Sequence, residues 1–142
     1  MSLQQKMHFE SGLLSVDASG DFSLEDAKLA FLEMLGAVVQ YKAEKILFDV
    51  RNVKGTPTDM ERFCYGDFVA RATHRIVREH GIVPRVAYLA HVPLRDPERF
   101  AETVAVNRGG NVKSFETPED AFEWLECSPA DESDAATLEQ PA

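Results

Sequence analysis

Residues able to do chemistry concentrate between Asp49 and Arg62, in the stretch Asp49-Val50-Arg51-Asn52-Val53-Lys54-Gly55-Thr56-Pro57-Thr58-Asp59-Met60-Glu61-Arg62. Asp49 suits a site carboxylate, or an acceptor for the backbone N–H groups of the loop after it. Arg51, Lys54 and Arg62 suit an anion or partner surface, or simple solvation. Thr58 stands three residues before Glu61, the spacing of a capping box that opens a helix. A phosphate on Thr58 would face the positive end of that helix dipole, with Arg51, Lys54 and Arg62 near enough in sequence to neutralise it. Thr56 and Thr58 are thus candidates for ligand or partner contact and Thr58 for phosphorylation, set against the plain role of a helix cap.

The rest of the chain offers less. Cys64 and Cys127 give neither a disulfide framework nor a metal-ligand spacing, and read as reduced thiols. His8, His74, His80 and His91 show no pairing that holds a metal. A Cys64–His74 nucleophile pair on one helix would be separated by about 15 Å. Asn107-Arg108-Gly109-Gly110 reads as a helix stop rather than a phosphate turn, since the dipole is negative there. No Gly-rich loop opens a helix after a strand, so no nucleotide cofactor is expected. The sequence specifies no reaction, no cofactor and no metal.

The elements around these residues follow from spacing. Lys45–Val53 contains the near-continuous apolar run Ile46-Leu47-Phe48-Val50, as in a strand covered on both faces. Asp49 interrupts it toward the carboxyl end, where open parallel sheets meet their ligands. Met7–Glu10 and Leu13–Asp17 predict a hairpin about Ser11-Gly12, with a break at Ala18–Asp21. Ser23 and Asp26 open a helix to about Tyr41, with Leu24, Ala27, Phe31, Met34, Leu35 and Val38 on its apolar face. A second helix is expected from Thr58 to His80, stopped by Gly81. Its inward stripe reads Met60, Cys64, Phe68, Ala72 and Ile76, widened by Phe63, Val69, Thr73 and Val77. Tyr65 and Phe63 cannot both point inward with Met60 and Phe68, which leaves a groove or self-association surface as an alternative to a sandwiched helix.

Pro84–His91 predicts a strand, Asp96-Pro97 a helix to about Gly109, Asn111–Glu116 a last strand, and Thr117-Pro118 a last helix to about Cys127. The expected fold is α/β: a small mixed, mostly parallel sheet with an N-terminal hairpin and four helices, ordered β-β-α-β-α-β-α-β-α with right-handed crossovers. Whether the helices cover one face or both stays open at this point.

This order and several strings resemble the SpoIIAA-like family, relatives of the STAS domains of anti-sigma-factor antagonists. The strings are Ile46-Leu47-Phe48-Asp49-Val50-Arg51, Gly55-Thr56-Pro57, Phe100 to Gly109, Phe115, and Glu119-Asp120-Ala121-Phe122-Glu123-Trp124-Leu125. The resemblance spans roughly residues 7–126. It implies a regulatory module that docks on a kinase or anti-sigma partner through the start of the helix after the central strand. In those proteins a phosphorylated Ser follows an Asp there. This chain has Thr56-Pro57-Thr58-Asp59 and no Asp-Ser pair, with Thr58 the nearest hydroxyl. Domains of related fold hold apolar ligands, so a carrier of a small lipid-like ligand is the alternative.

The totals fit one domain over residues 1–127, with 128–142 an acidic disordered tail. The net charge is −9, of which the tail carries four acids and no base, so phosphate-mediated nucleic-acid binding is not expected. No signal peptide and no spanning segment of about 20 apolar residues is read in the chain, which predicts a soluble cytoplasmic protein. The expected partner is a protein or a small apolar ligand, and a homodimer through exposed apolar helices is compatible with the pattern.

Overall fold

The run Ile46-Leu47-Phe48 must bury both sides of its strand, and a computed structural model shows what covers it. Residues 3–91 and 111–126 are described. Five strands form one sheet: β1 (Gln4–Glu10), β2 (Leu13–Asp21), β3 (Lys45–Lys54), β4 (Arg85–Leu89) and β5 (Val112–Phe115), in the order β1-β2-β3-β4-β5. β1 is antiparallel to β2, and every other pair is parallel. Lys45–Lys54 is therefore the central strand, as its apolar run requires.

Three helices lie among the described residues: α1 (Leu24–Tyr41), α2 (Asp59–His80) and α3 (Pro118–Leu125). Four were expected. The remaining one, over Asp96–Gly109, falls outside the described residues, as do the Asn107–Gly110 turn, Cys127 and the acidic tail.

Period-two alternation divides the interior. Leu14, Val16 and Ala18 of β2, Ile46 and Phe48 of β3 and Val86 of β4 pack with Phe31, Met34, Leu35 and Val38 of α1 and Val69 of α2. Leu13, Leu47, Ala87 and Leu89 pack on the opposite face with Ala121, Phe122 and Leu125 of α3. Both faces are covered, which periodicity alone had left undecided. Each large side chain so buried contributes roughly 1.5–3 kcal/mol from water exclusion.

The local signals set the ends. Ser11 (φ 55°) and Gly12 (φ 82°) both have positive φ, the two-residue hairpin whose twist matches its strands. The Ser23 side chain caps α1, and Thr117 caps α3 just before Pro118.

Two expectations are corrected. Ala18–Asp21 is no break: β2 runs on to Asp21, and the ladder continues as the Phe22 N–H donates to the Lys54 carbonyl at 2.8 Å. Tertiary pairing with β3 holds these small and polar residues extended. The inward side of α2 also departs from the expected stripe at the start of the helix. Its buried residues are Arg62, Gly66, Val69, Ala70 and Thr73, while Met60 is 69% exposed and Phe63 37%. Phe68, Ala72 and Ile76 of that stripe do pack against the core, and Val69 and Thr73 are buried as expected, but Met60 and Phe63 turn outward.

Candidate functional site

β3 pairs with β4 only as far as Asp49 opposite Leu89, but with β2 as far as Lys54. Asp49 is thus the last residue of β3 with a strand on both sides. Opposite β2, Asp17 faces Asp49 and Ser19 faces Asn52. β3 therefore carries one extra residue between these pairs, a bulge. The Asp49 side chain serves that irregularity: its Oδ1 accepts the Arg51 backbone N–H at 3.0 Å. The Arg51 guanidinium closes a fork on the same carboxylate, Nε to Oδ1 at 3.0 Å and Nη2 to Oδ2 at 2.7 Å. Burial of Asp49 opposes its charge, but the Arg51 hydrogen bonds and charge, with His91 adding a smaller attraction, outweigh it and hold the carboxyl below the usual range. The bond to Asp49 in turn raises Arg51, with Asp17 adding to it.

The loop from β3 to α2 is fixed at Gly55, whose φ of 129° suits glycine and whose position lies against Phe22. Pro57 is buried, and Thr56 and Thr58 are exposed. The expected capping box is complete. Thr58 Oγ1 accepts the Glu61 N–H at 3.1 Å, and the Thr58 N–H donates to Glu61 Oε1 at 2.8 Å.

Three of the six candidates thus fall into two local groups. Asp49 and Arg51 bond each other on the strand, beside Leu47 and the α3 face. Thr58 bonds Glu61 at the head of α2, on the opposite face. Lys54 and Thr56 lie exposed on the loop between them. Arg62, read from the sequence as a surface base, is 9% exposed. Its position on the inward line of α2 withdraws it from the exposed head of the helix.

A cluster that the sequence did not single out lies beneath that helix start. Tyr65 and Tyr88 join hydroxyl to hydroxyl at 2.6 Å. Their rings meet edge to face at 6.3 Å, Tyr88 stacks on Phe48 at 5.2 Å, and Phe31 meets both Tyr65 and Phe68 at 6.4 Å. Lys28 sits 5.5 Å above the Phe68 ring. Burial pushes the Tyr65 phenol up, the bond from Tyr88 opposing it. Burial also pushes Tyr88 well up, helped by Tyr65. Helical spacing marked Tyr65 as out of line with its neighbours, but its meeting with Tyr88 depends on how α2 lies over β4.

Among the described residues, no cluster of three or more His, Cys, Asp or Glu could hold a metal ion. No helix among them is long and apolar enough to cross a membrane. An open depression of about 240 Å³ is lined by Asp67, Ala70, Arg71 and His74, further along α2.

No family model matches the chain, and no curated protein matches it. Solved structures do. An anti-sigma factor antagonist from Mycobacterium paratuberculosis superposes with a TM-score of 0.57 at 17% identity, covering 88% of this chain and 95% of that one. An uncharacterized protein with a SpoIIAA-like fold from Shewanella loihica gives a TM-score of 0.47 at 19% identity, over 87% and 94% of the two chains. Over most of both chains, this chain therefore shares its fold with the anti-sigma factor antagonist.

Proposed function

We propose that the chain is a non-enzymatic regulatory module that docks a protein partner on the loop 54–58 and the first turns of α2. The observation that carries this reading is the exposure of Met60 and Phe63 on the outer side of a rigidly capped helix start, beside Lys54, Thr56 and Thr58. Large apolar side chains turned to water at the end of a central strand mark contact surface. The likeness to an anti-sigma factor antagonist supports the same reading. Of the bases expected to neutralise a phosphate on Thr58, Arg51 is held by Asp49 and Arg62 is buried, so the added charge would stand at the positive end of the α2 dipole with Lys54, Asp59 and Glu61 around it. Phosphorylation would thereby change the charge of the docking surface beside Met60 and weaken docking.

Affinity capture from the native lysate tests this, with wild type compared to Met60→Asp and Thr58→Glu. Proteins held by wild type and lost from Met60→Asp support the surface. Identical recovery by wild type and Met60→Asp, or no protein held by either, defeats it.

A further inference from the structure

The outer edge of β1 is a second surface, remote from the head of α2. β1 is the first strand of the sheet, so among the described residues nothing pairs with its outer side. Glu10 and Leu13 flank the two-residue turn and form its hydrogen-bonded pair. Counting back by twos, Glu10, His8, Lys6 and Gln4 bond inward to β2. The N–H and C=O groups of Gln5, Met7 and Phe9 therefore face out, a row of donors and acceptors ready for another strand. Charges on an edge ordinarily deter pairing with foreign strands, and β1 carries Lys6, His8 and Glu10.

Those charges are complementary to themselves. In an antiparallel pairing of two β1 strands centred on His8, Lys6 of each copy lies opposite Glu10 of the other. The same register puts Met7 opposite Phe9 of the second copy, on the side facing α1. The outward backbone groups of Met7 and Phe9 then meet as hydrogen-bonded pairs, and Lys6 and Glu10 meet in the closer, non-hydrogen-bonded kind. Centring one residue earlier, on Met7, would instead set Lys6 against His8.

The flank beside this edge is apolar. Met7 is 40% exposed, and Tyr41, stacked on Phe9 at 4.8 Å, is 46% exposed. Leu29, one turn before the Glu33 that Gln5 reaches at 2.8 Å, is 57% exposed. These contacts place Tyr41 and Leu29 on the β1 side of α1, beside Met7 of β1 itself. We infer that β1 is a self-association edge: two copies pair antiparallel through residues 6–10, continuing the sheet across a two-fold axis, with Lys6 opposite Glu10 at both ends setting the register. Glu10 already lies 2.7 Å from His8, so its carboxylate stands on the face from which Lys6 of the second copy arrives.

Sedimentation velocity of the full chain over a concentration series tests the inference. A reversible monomer–dimer equilibrium is expected. Lys6→Glu alone and Glu10→Lys alone should each raise the dissociation constant by about tenfold, since each puts like charges opposite one another at two symmetric places. The double variant Lys6→Glu/Glu10→Lys should restore the wild-type value. Far-UV circular dichroism of each variant guards against mere misfolding, and the restoration cannot come from a misfolded chain. A chain monomeric at every concentration, a dimer indifferent to both reversals, or a double variant as weak as the singles would overturn the proposal. So would a dimer lost in Met60→Asp and unchanged in Lys6→Glu.

Discussion

At the residue scale, Asp49 shows how a carboxylate in a suggestive place is used structurally. It serves a bulge and an arginine within its own strand. Asp49→Asn should cost about 1 kcal/mol at neutral pH, a modest figure because Arg51 keeps a third of its side chain in water. The sign of its pH dependence follows from the lowered native value. Stabilisation is in full force above the ordinary carboxylate value of 3.8 and is lost as pH falls through the lower native one. Urea midpoints of wild type and Asp49→Asn should therefore converge below that value, and a gap that persists into strong acid would speak against the ion pair. The tyrosines make the opposite case. Both phenols are raised, so their contribution holds below the ordinary value of 10.0 and declines as pH climbs beyond it. Tyr65→Phe strands the Tyr88 hydroxyl and should cost about 1–3 kcal/mol, with a flatter alkaline decline. Adding Tyr88→Phe should recover most of that loss, and strictly additive costs would disprove the pairing. Asp49 was legible as a structural acceptor because its carboxylate bonds two residues along the chain. The tyrosine pair was not, since residues 65 and 88 meet only through tertiary packing.

At the scale of elements, the passage from β3 into α2 decides where the candidate surface lies. Its chemistry is local, so the sequence announced it well: Thr58, Glu61 and Gly81 bound the helix as their types require. Thr58→Ala should cost about 1 kcal/mol in thermal or urea unfolding. Gly55→Ala should cost more, about 2 kcal/mol, because its φ of 129° is hostile to a side chain and the new Cβ would lie 3.3 Å from Phe22 Cβ. A Gly55→Ala protein as stable as wild type would show that the loop is not held in this shape. The outward turn of Met60 and Phe63 escaped the sequence for a physical reason. The α2 stripes 60-64-68 and 62-66-69 are both plausible inward faces by period, and Arg62 weighs against the second. Space between helix and sheet favours Gly66, Ala70 and Thr73 inward, and no single-chain pattern records that space. Met60→Asp, on the outward side, should leave stability within about 0.5 kcal/mol while removing partner capture, which separates surface from scaffold.

At the scale of the molecule, the two cores share one sheet, and that ties their fates. Ile46 and Phe48 point to α1 and α2, while Leu47 between them points to α3. The antiparallel hairpin and the parallel pairs were readable because the hairpin is local and the other strands alternate with helical patterns. Which helix covers which face was not, because a strand buried on both sides has no polar side to report it. The single Trp124 lies in the smaller core, 4.5 Å from the Arg85 guanidinium and 5.8 Å from the Phe115 ring. Lys45 adds a 2.9 Å bond from its Nζ to the Glu126 carbonyl at the end of α3, where a cation suits the dipole. Trp124 fluorescence therefore follows the α3 face, and far-UV circular dichroism follows mainly the longer α1 and α2. The two should trace one urea transition, because losing α3 strips Leu47 and Leu89 of cover on strands that also carry the larger core. Phe122→Ala should lower both midpoints together by about 3–4 kcal/mol of stability. A fluorescence transition that runs ahead of the dichroism would mean that α3 peels away first and that the sheet does not couple its two faces.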